Sequence, residues 1–273
     1  MTTNLEATII CGESLDVMRT LPSSSVAGVI TDPPYSSGGQ FRSDRVGGKT
    51  ATEKYIKDHE ARYEHDFEGD NRDQRSWALW CTLWLSEARR VTIPGGVVAC
   101  FTDWRQLPTL TDAVQAGGWV WRGILPWDKT EAVRPQQGRP RNQAEYVVWG
   151  SNGPLDPKRA APVTRGVLRC PVSRTKVHPT EKPLAMLREL MKIVEAGGAV
   201  LDPFAGSGMH GAAALLEGHP FLGIEVSEAY AAIGRETIEE AVRAHGLTSA
   251  QVKAIEARSG RVGGPTQVSL FGG

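Results

Sequence analysis

The sequence lacks the features of membrane and secreted proteins. It contains no run of about 18 apolar residues, so it predicts no membrane-spanning helix. The first ten residues, MTTNLEATII, do not place an apolar stretch after a basic one, as a secretion signal does. On these two absences we expect a cytoplasmic protein with no membrane partner.

Cysteine is scarce as well. The 273 residues include four cysteines, and none of them forms a C-x-x-C pair. Zinc sites and small disulfide frameworks both need closer and more regular spacing. We therefore expect reduced thiols and no metal site.

The chain has no net charge, but its charges are unevenly distributed. Lys+Arg and Asp+Glu each total 31, which excludes the uniformly basic coat of a general nucleic-acid binder. Residues 134–176 nevertheless hold nine basic residues against two acidic ones, a local balance of +7. The sequence therefore predicts a polyanion-binding surface on an otherwise acidic body.

Short apolar runs alternate with amphipathic stretches along the chain. The apolar runs predict buried strands at 8–11, 26–31, 97–101, 119–127, 145–149, 199–201 and 220–225. The amphipathic stretches predict helices at 14–19, 77–88, 104–116, 184–194, 209–217 and 227–244. In the second of these helices the tryptophans share one face, which we interpret as core packing, and residues 94–96 (PGG) are expected to end it. The alternation predicts an α/β fold with a doubly wound, mostly parallel sheet and helices on both of its faces.

The first loop whose residues could bind a ligand is 202–208, DPFAGSG, between a predicted strand and a predicted helix. Its glycines let a ligand approach the backbone, and the helix N-terminus offers free N–H groups. The next strand ends in Glu225, where a carboxylate suits the two hydroxyls of a ribose. We expect a small adenosine-containing ligand there, although residues 206–211, GSGMHG, also fit the G-x-G-x-x-G pattern of dinucleotide sites. The alternative is a plain strand–helix turn with a capping acid.

The second loop is Asp32-Pro33-Pro34-Tyr35, after another predicted strand. Ligands of open α/β sheets bind at the carboxyl ends of strands, so both loops can line one crevice. The Asp32 carboxylate and the Pro33 carbonyl are two acceptors, and Tyr35 offers a ring for stacking. Two acceptors that converge on one –NH₂ group can aim its lone pair at an electrophile. The alternative is a strand terminator at the sheet edge.

Together the two loops resemble those of the amino-type DNA methyltransferases that use S-adenosylmethionine. The D-P-P-Y loop precedes FAGSG with the basic stretch between them, which is similar to the order of the permuted β class. The resemblance covers residues 8–35 and 97–244, and it implies a circularly permuted, Rossmann-like methyltransferase fold. It also implies methyl transfer to the N6 of a flipped adenine in duplex DNA, in a setting such as restriction–modification.

Other activities stay open beside this one. Cytosine N4 presents the same two amino hydrogens, and D-P-P-Y favours adenine only by the habit of the family. RNA and protein-amide methyltransferases usually have N-P-P-Y and the opposite loop order. A DNA-binding relative without catalysis is a further alternative.

The resemblance assigns site residues in two groups. The target amine would be held by Asp32, Pro33, Pro34 and Tyr35. S-adenosylmethionine would be bound by Glu13, Thr180, Lys182, Asp202, Phe204, Gly206, Ser207, Gly208 and Glu225. In the second group Glu13 would lie near the adenine, although relatives carry a shorter Asp there, and Thr180 and Lys182 near the carboxylate. His210 stands where relatives carry a small polar residue, and we interpret it as structural.

Two further segments suggest partners. The basic stretch would contact DNA, by base reading or by phosphate binding alone, through Arg134, Arg139, Arg141, Lys158, Arg159, Arg165 and Arg169. The C-terminal QVSLF resembles the peptide by which bacterial proteins dock on the replication sliding clamp, which implicates Gln267, Leu270 and Phe271. A hydrophobic end on a disordered tail is the alternative.

We expect one permuted domain in four parts. These are a catalytic half at 1–130 with a long loop at 36–75, a basic insertion at 131–177, a cofactor-binding half at 178–258 and a flexible tail at 259–273. Enzymes of the β class often dimerise, so a second copy of the chain is a possible partner.

Overall fold

A computed structural model of the chain describes residues 8–36, 72–135, 137–172, 182–247 and 251. The strands in this part are β1 (Thr8–Cys11), β2 (Val26–Thr31), β3 (Thr92–Thr102), β4 (Val120–Asp128), β5 (Ala144–Ser151), β6 (Leu168–Arg169), β7 (Val200–Asp202) and β8 (Phe221–Glu225). The helices are α1 (Ser14–Thr20), α2 (Gln74–Val91), α3 (Leu107–Ala116), α4 (Leu184–Met191), α5 (Met209–Leu216) and α6 (Glu228–Ala244). None of the helices described is long and apolar enough to cross a membrane.

The eight described strands form a single sheet in the order β1-β8-β7-β2-β3-β5-β4-β6. Strand β5 is antiparallel to both of its neighbours, and every other pair is parallel. The predicted fold class, a mostly parallel Rossmann-like sheet, is therefore confirmed.

Helices cover both faces of this sheet because side chains alternate along the central strands. In β3, Val97, Ala99 and Phe101 point into a core completed by α4, α5 and α6. Val98 and Cys100 point into a second core, which is completed by α1, α2 and α3. The two cores hold the sheet as the middle layer of three, and the loops at its edge stay accessible to a ligand.

The expectation that residues 94–96 end the tryptophan-rich helix is wrong. Helix α2 ends at Val91, and β3 begins at the next residue. Proline and glycine fit inside this strand because the pairing register shifts between Val26↔Thr92 and Gly28↔Val97. Asn152 exchanges backbone hydrogen bonds with Gly95 and Gly96, which satisfies the irregular backbone.

The boundaries expected for the basic insertion also need correction. Strand β5 lies inside residues 131–177, yet it pairs with both β3 and β4 and so belongs to the main sheet. Strand β6, which the sequence did not predict, pairs with β4 at Trp127↔Leu168. The insertion is therefore reduced to two connections, one before β5 and one after it.

The sheet topology brings the two motif loops together. Strands β2 and β7 are hydrogen-bonded parallel neighbours through Gly28↔Val200 and Val29↔Leu201. The D-P-P-Y loop follows β2 and the glycine loop follows β7. Because both loops follow the carboxyl ends of adjacent strands, they meet at the carboxyl end of the sheet.

Candidate functional site

The Asp202 carboxylate connects the two loops. It is completely buried, and its Oδ1 accepts hydrogen bonds from Thr31 Oγ1 at 2.6 Å and from Phe204 N at 3.0 Å. His210 Nδ1 lies 2.9 Å from the other carboxylate oxygen. Thr31 directly precedes the D-P-P-Y loop, and His210 stands in the first turn of α5. We expected Asp202 to line a cofactor, and its contacts in the structure are with the protein itself.

Helix α5 begins from a glycine loop with little room for side chains. Gly206 and Gly208 have φ angles of 47° and 79°, in the region that favours glycine. A Cβ on Gly208 would lie 2.4 Å from the Gly234 carbonyl oxygen in α6. The loop backbone is therefore open on its outer side and closely packed against α6.

Glu225, at the end of β8, closes the other side of this loop. Its two carboxylate oxygens accept from Gly206 N and Ser227 N, each at 3.0 Å. Burial raises the pKa of Glu225 above its usual value, and these backbone amides oppose that rise. Each carboxylate oxygen has a further lone pair that can accept a hydroxyl.

The turn that contains Glu13 lies beside Glu225. Gly12 N donates to the Glu225 backbone carbonyl at 2.9 Å, and Ser14 Oγ donates to the Pro203 carbonyl at 2.6 Å. The exposed Glu13 side chain caps α1 by accepting from two backbone amides. Thr180, which we expected near the cofactor carboxylate, lies outside the described residues.

Helix α2 supports both loops with its tryptophans. The buried Trp77 indole donates to the Pro34 carbonyl at 2.8 Å. The Trp80 and Trp84 rings each lie 5.2 Å from the Phe204 ring, between centroids. Core packing was predicted from their spacing, whereas contact with both motif loops was not.

Within the D-P-P-Y loop both Asp32 oxygens already have partners. Tyr35 Oη donates to Oδ1 at 2.5 Å, and Lys182 Nζ lies 2.6 Å from Oδ2. Lys182, whose side chain is 7% exposed, lies just before α4, 150 residues further along the chain. We expected Lys182 at the carboxylate of the cofactor, and the structure places its ammonium beside the D-P-P-Y loop.

Two residues that the sequence analysis did not select complete this cluster. Glu145 Oε2 lies 3.4 Å from Lys182 Nζ, and Glu145 Oε1 accepts from Lys129 Nζ at 3.1 Å. Asp32, Lys182, Glu145 and Lys129 thus form a line of alternating charge. A sequence feature could have identified Glu145, because it is one of two acids in a basic stretch and stands at the start of an apolar strand.

Opposite charges fix the protonation states in this line. Burial alone would lower the pKa of Lys182, but Asp32 and Glu145 together raise it above the usual lysine value. Burial alone would raise the pKa of Glu145, but Lys182 and Lys129 hold it below the usual range. Burial and then the Asp32 charge raise the pKa of Tyr35 well above that of a free phenol. Tyr35 therefore stays a hydrogen-bond donor, and Lys182 stays an ammonium.

The basic residues expected to contact DNA divide into two groups. Arg141 donates to the carbonyls of Glu131 and Val133, and Arg159 donates to the Ile193 carbonyl. Looser ion pairs join Arg165 to Glu189 and Arg169 to Asp128. The remaining three, which are exposed and have no side-chain partner among the described residues, are Arg134, Arg139 and Lys158.

One known protein family has a model that matches most of this chain. The N6/N4 methyltransferase family model, described as DNA methylase, matches residues 26–159 and 158–236. The putative methylase YubD of Escherichia coli (strain K12) is 30% identical over 236 residues, which cover 86% of this chain and 91% of YubD. The type II methyltransferase M.ScaI of Streptomyces caespitosus is 25% identical over 270 residues, 82% of this chain and 79% of M.ScaI.

Solved structures show the same fold at lower identity. The M1.HpyAVI–SAM complex superposes with a TM-score of 0.60 at 19% identity and covers 85% of this chain and 98% of that protein. The cytosine-N4-specific PvuII DNA methyltransferase superposes with a TM-score of 0.62 at 16% identity and covers 94% of this chain and 93% of that protein.

The bond between Thr31 and Asp202 can be tested by stability measurements. Thr31→Val keeps the shape of the side chain but leaves a buried carboxylate oxygen without its hydroxyl donor. We expect a loss of about 1–3 kcal/mol in the free energy of unfolding, measured by urea denaturation. Thr102→Val is the matched control, because this equally buried hydroxyl makes only a 3.4 Å bond to the Asp103 carbonyl. Equal losses in the two variants would show that Asp202 does not depend on Thr31.

Proposed function

The chain belongs to the N6/N4 family of DNA methylases, and on that premise we propose that it methylates the N6 of an adenine flipped out of duplex DNA. The methyl donor is S-adenosylmethionine, which solved structures of the same fold contain as a complex. The observation that carries the proposal is the pair of loops at adjacent strand ends, one suited to an amine and one to a nucleoside.

The residues of the glycine loop fit the cofactor. Gly206 and Gly208 leave the backbone accessible, and Glu225 has lone pairs left for the ribose hydroxyls. Glu13 lies on the turn beside Glu225, which suits contact with the adenine. We assign Asp202 the role of shaping this loop. When bound, S-adenosylmethionine supplies an electrophilic methyl group on a sulfonium.

The D-P-P-Y loop would orient the target nitrogen. Extruding the base costs a few kcal/mol, which stacking on Tyr35 partly offsets. Asp32 and the Pro33 carbonyl accept the two amino hydrogens, so the nitrogen lone pair points away from them. Trp77 occupies the Pro34 carbonyl, whereas no described residue donates to that of Pro33. The nitrogen lone pair would then be placed to attack the methyl carbon as its bond to sulfur breaks, and the proton that the nitrogen loses would pass to water.

Cytosine N4 is the second candidate for the target. Its amino group presents the same two hydrogens to Asp32, and the PvuII enzyme of similar fold is cytosine-N4-specific. We favour adenine because this chain has D-P-P-Y, the loop that is typical of the adenine enzymes of the family. The cytosine enzymes mostly have S-P-P-Y instead.

The reaction is tested by product analysis with one variant of Asp32. Purified protein is incubated with mixed-sequence duplex DNA and S-adenosylmethionine, and the digested nucleosides are identified by mass spectrometry. We expect N6-methyladenine, and we expect Asp32→Ala to lower the rate by about 10²–10³, because it removes a preorganised electrostatic contact. Asp16→Ala, an exposed acid on α1, is the control that should retain full rate. N4-methylcytosine would overturn the choice of base, and near-normal methylation by Asp32→Ala would overturn the assignment of Asp32.

The division of the basic residues predicts two kinds of variant. Arg134→Ala and Arg139→Ala should weaken DNA binding and each reduce the slope of log affinity against log salt by about 1, as the loss of one phosphate contact does. Arg141→Ala should instead lower the melting temperature, because its guanidinium supports two backbone carbonyls. Salt titrations and thermal melts of the three variants measure both effects. An unchanged salt slope in the first two would exclude them from the DNA interface.

The tail motif supports a second partner. We propose that Gln267, Leu270 and Phe271, which lie outside the described residues, dock on the replication sliding clamp. Deletion of 267–273 should abolish clamp binding in a titration and leave methylation of short duplexes unchanged. Full clamp binding by the truncated chain would exclude this role.

A further inference from the structure

The Lys182 ammonium occupies the place where the target amine is expected. Its Nζ lies 2.6 Å from Asp32 Oδ2 and 3.3 Å from Tyr35 Oη. It also lies over two aromatic rings, 5.5 Å from the centroid of Tyr35 and 5.2 Å from that of Phe101. In the proposed complex a target base contacts the Asp32 carboxylate and the Tyr35 ring as well. The base and the ammonium would therefore compete for this carboxylate and this ring.

Glu145 offers the ammonium another partner nearby. Its Oε2 is buried, lies 3.4 Å from Lys182 Nζ and receives no hydrogen bond from the described residues. Its Oε1 is held by Lys129, so the carboxylate is already fixed in place. A small rotation of the flexible lysine stem would exchange Asp32 for Glu145 and keep the ammonium paired. Keeping that pairing matters because an unpaired charge is strongly unfavourable at a buried position.

We infer that Lys182 is a displaceable occupant of the amine site and that Glu145 is the positioning residue that receives it when a base enters. The inference rests on the proposed function, in which Asp32 holds the target amine. In the free enzyme Lys182 satisfies Asp32, and in the complex the base takes Oδ2 while Lys182 bonds to Glu145. The four charges of the cluster sum to zero in both states, so the exchange leaves its net charge unchanged.

A double-mutant cycle tests this exchange. Glu145→Gln keeps the shape of the side chain but removes its charge, so Lys182 remains on Asp32 and hinders the base. We expect kcat/KM for DNA to fall about 10- to 100-fold, the range of one charge-assisted hydrogen bond, with no change in the affinity for S-adenosylmethionine. In a Lys182→Met background no ammonium needs a receiver. Adding Glu145→Gln there should change kcat/KM less than about 3-fold, within ordinary non-additivity.

The cycle separates positioning from a structural role. If Glu145 only supports the fold, its replacement lowers the rate equally in both backgrounds, which would overturn the inference. The double variant keeps the charge of the cluster balanced, because Asp32 and Lys129 remain. Lys182→Met alone leaves a charge of −1, so thermal melts of all three variants confirm that they are folded before their rates are compared. Glu240→Gln, an exposed acid on α6, is the control and should match wild type.

The same assay distinguishes failure of the inference from failure of the function. The exchange is overturned, and the methyltransferase assignment stays intact, if wild type methylates DNA but Glu145→Gln has the same effect in both backgrounds or has no effect in either. A wild-type protein that methylates no DNA base would overturn both.

Discussion

The arrangement of the site depends on a single buried carboxylate, that of Asp202. Parallel pairing of β2 and β7 brings the two loops to the same carboxyl end of the sheet, but it does not fix their conformations. Asp202 does so by accepting hydrogen bonds from Thr31 and Phe204, one residue for each loop. A buried acceptor that loses its donor costs about 1–3 kcal/mol, so the two loops are held in one arrangement. Helix α2 strengthens this link, because its tryptophans contact the same two loops from outside the sheet.

A second constraint is the balance of buried charge around Asp32. Lys182 and Glu145 are stable as ions because each lies between two opposite charges. Burial and these charges have opposite effects on the pKa of each group, and the charges prevail. An isolated buried ammonium would tend to lose its proton instead. The cluster therefore keeps opposite charges paired in a region largely closed to water. Neutralising any one of its members changes the site for all the others.

The sequence predicted what depends on local patterns. Most strands and helices were found from their apolar periodicity, and both loops from short motifs beside those strands. It did not predict β6, which has two residues, or the passage of Pro94 through β3, which depends on a register shift and on Asn152. The pairing of Lys182 with Asp32 was also missed, because 150 residues separate them and only the tertiary fold brings them into contact. Local patterns identify loops, whereas long-range pairs define how those loops are charged.

The basic stretch and the charge cluster around Asp32 meet at the edge formed by β5, β4 and β6. Glu145 belongs to β5, and Lys129 directly follows β4. At the same end of β4, Asp128 pairs with Arg169 of β6 and accepts a hydrogen bond from Gln143. A DNA contact that shifts this edge would therefore also move the carboxylate proposed to receive Lys182. Because these strands are hydrogen-bonded to one another, Glu145 is held on a rigid part of the sheet rather than on a flexible loop.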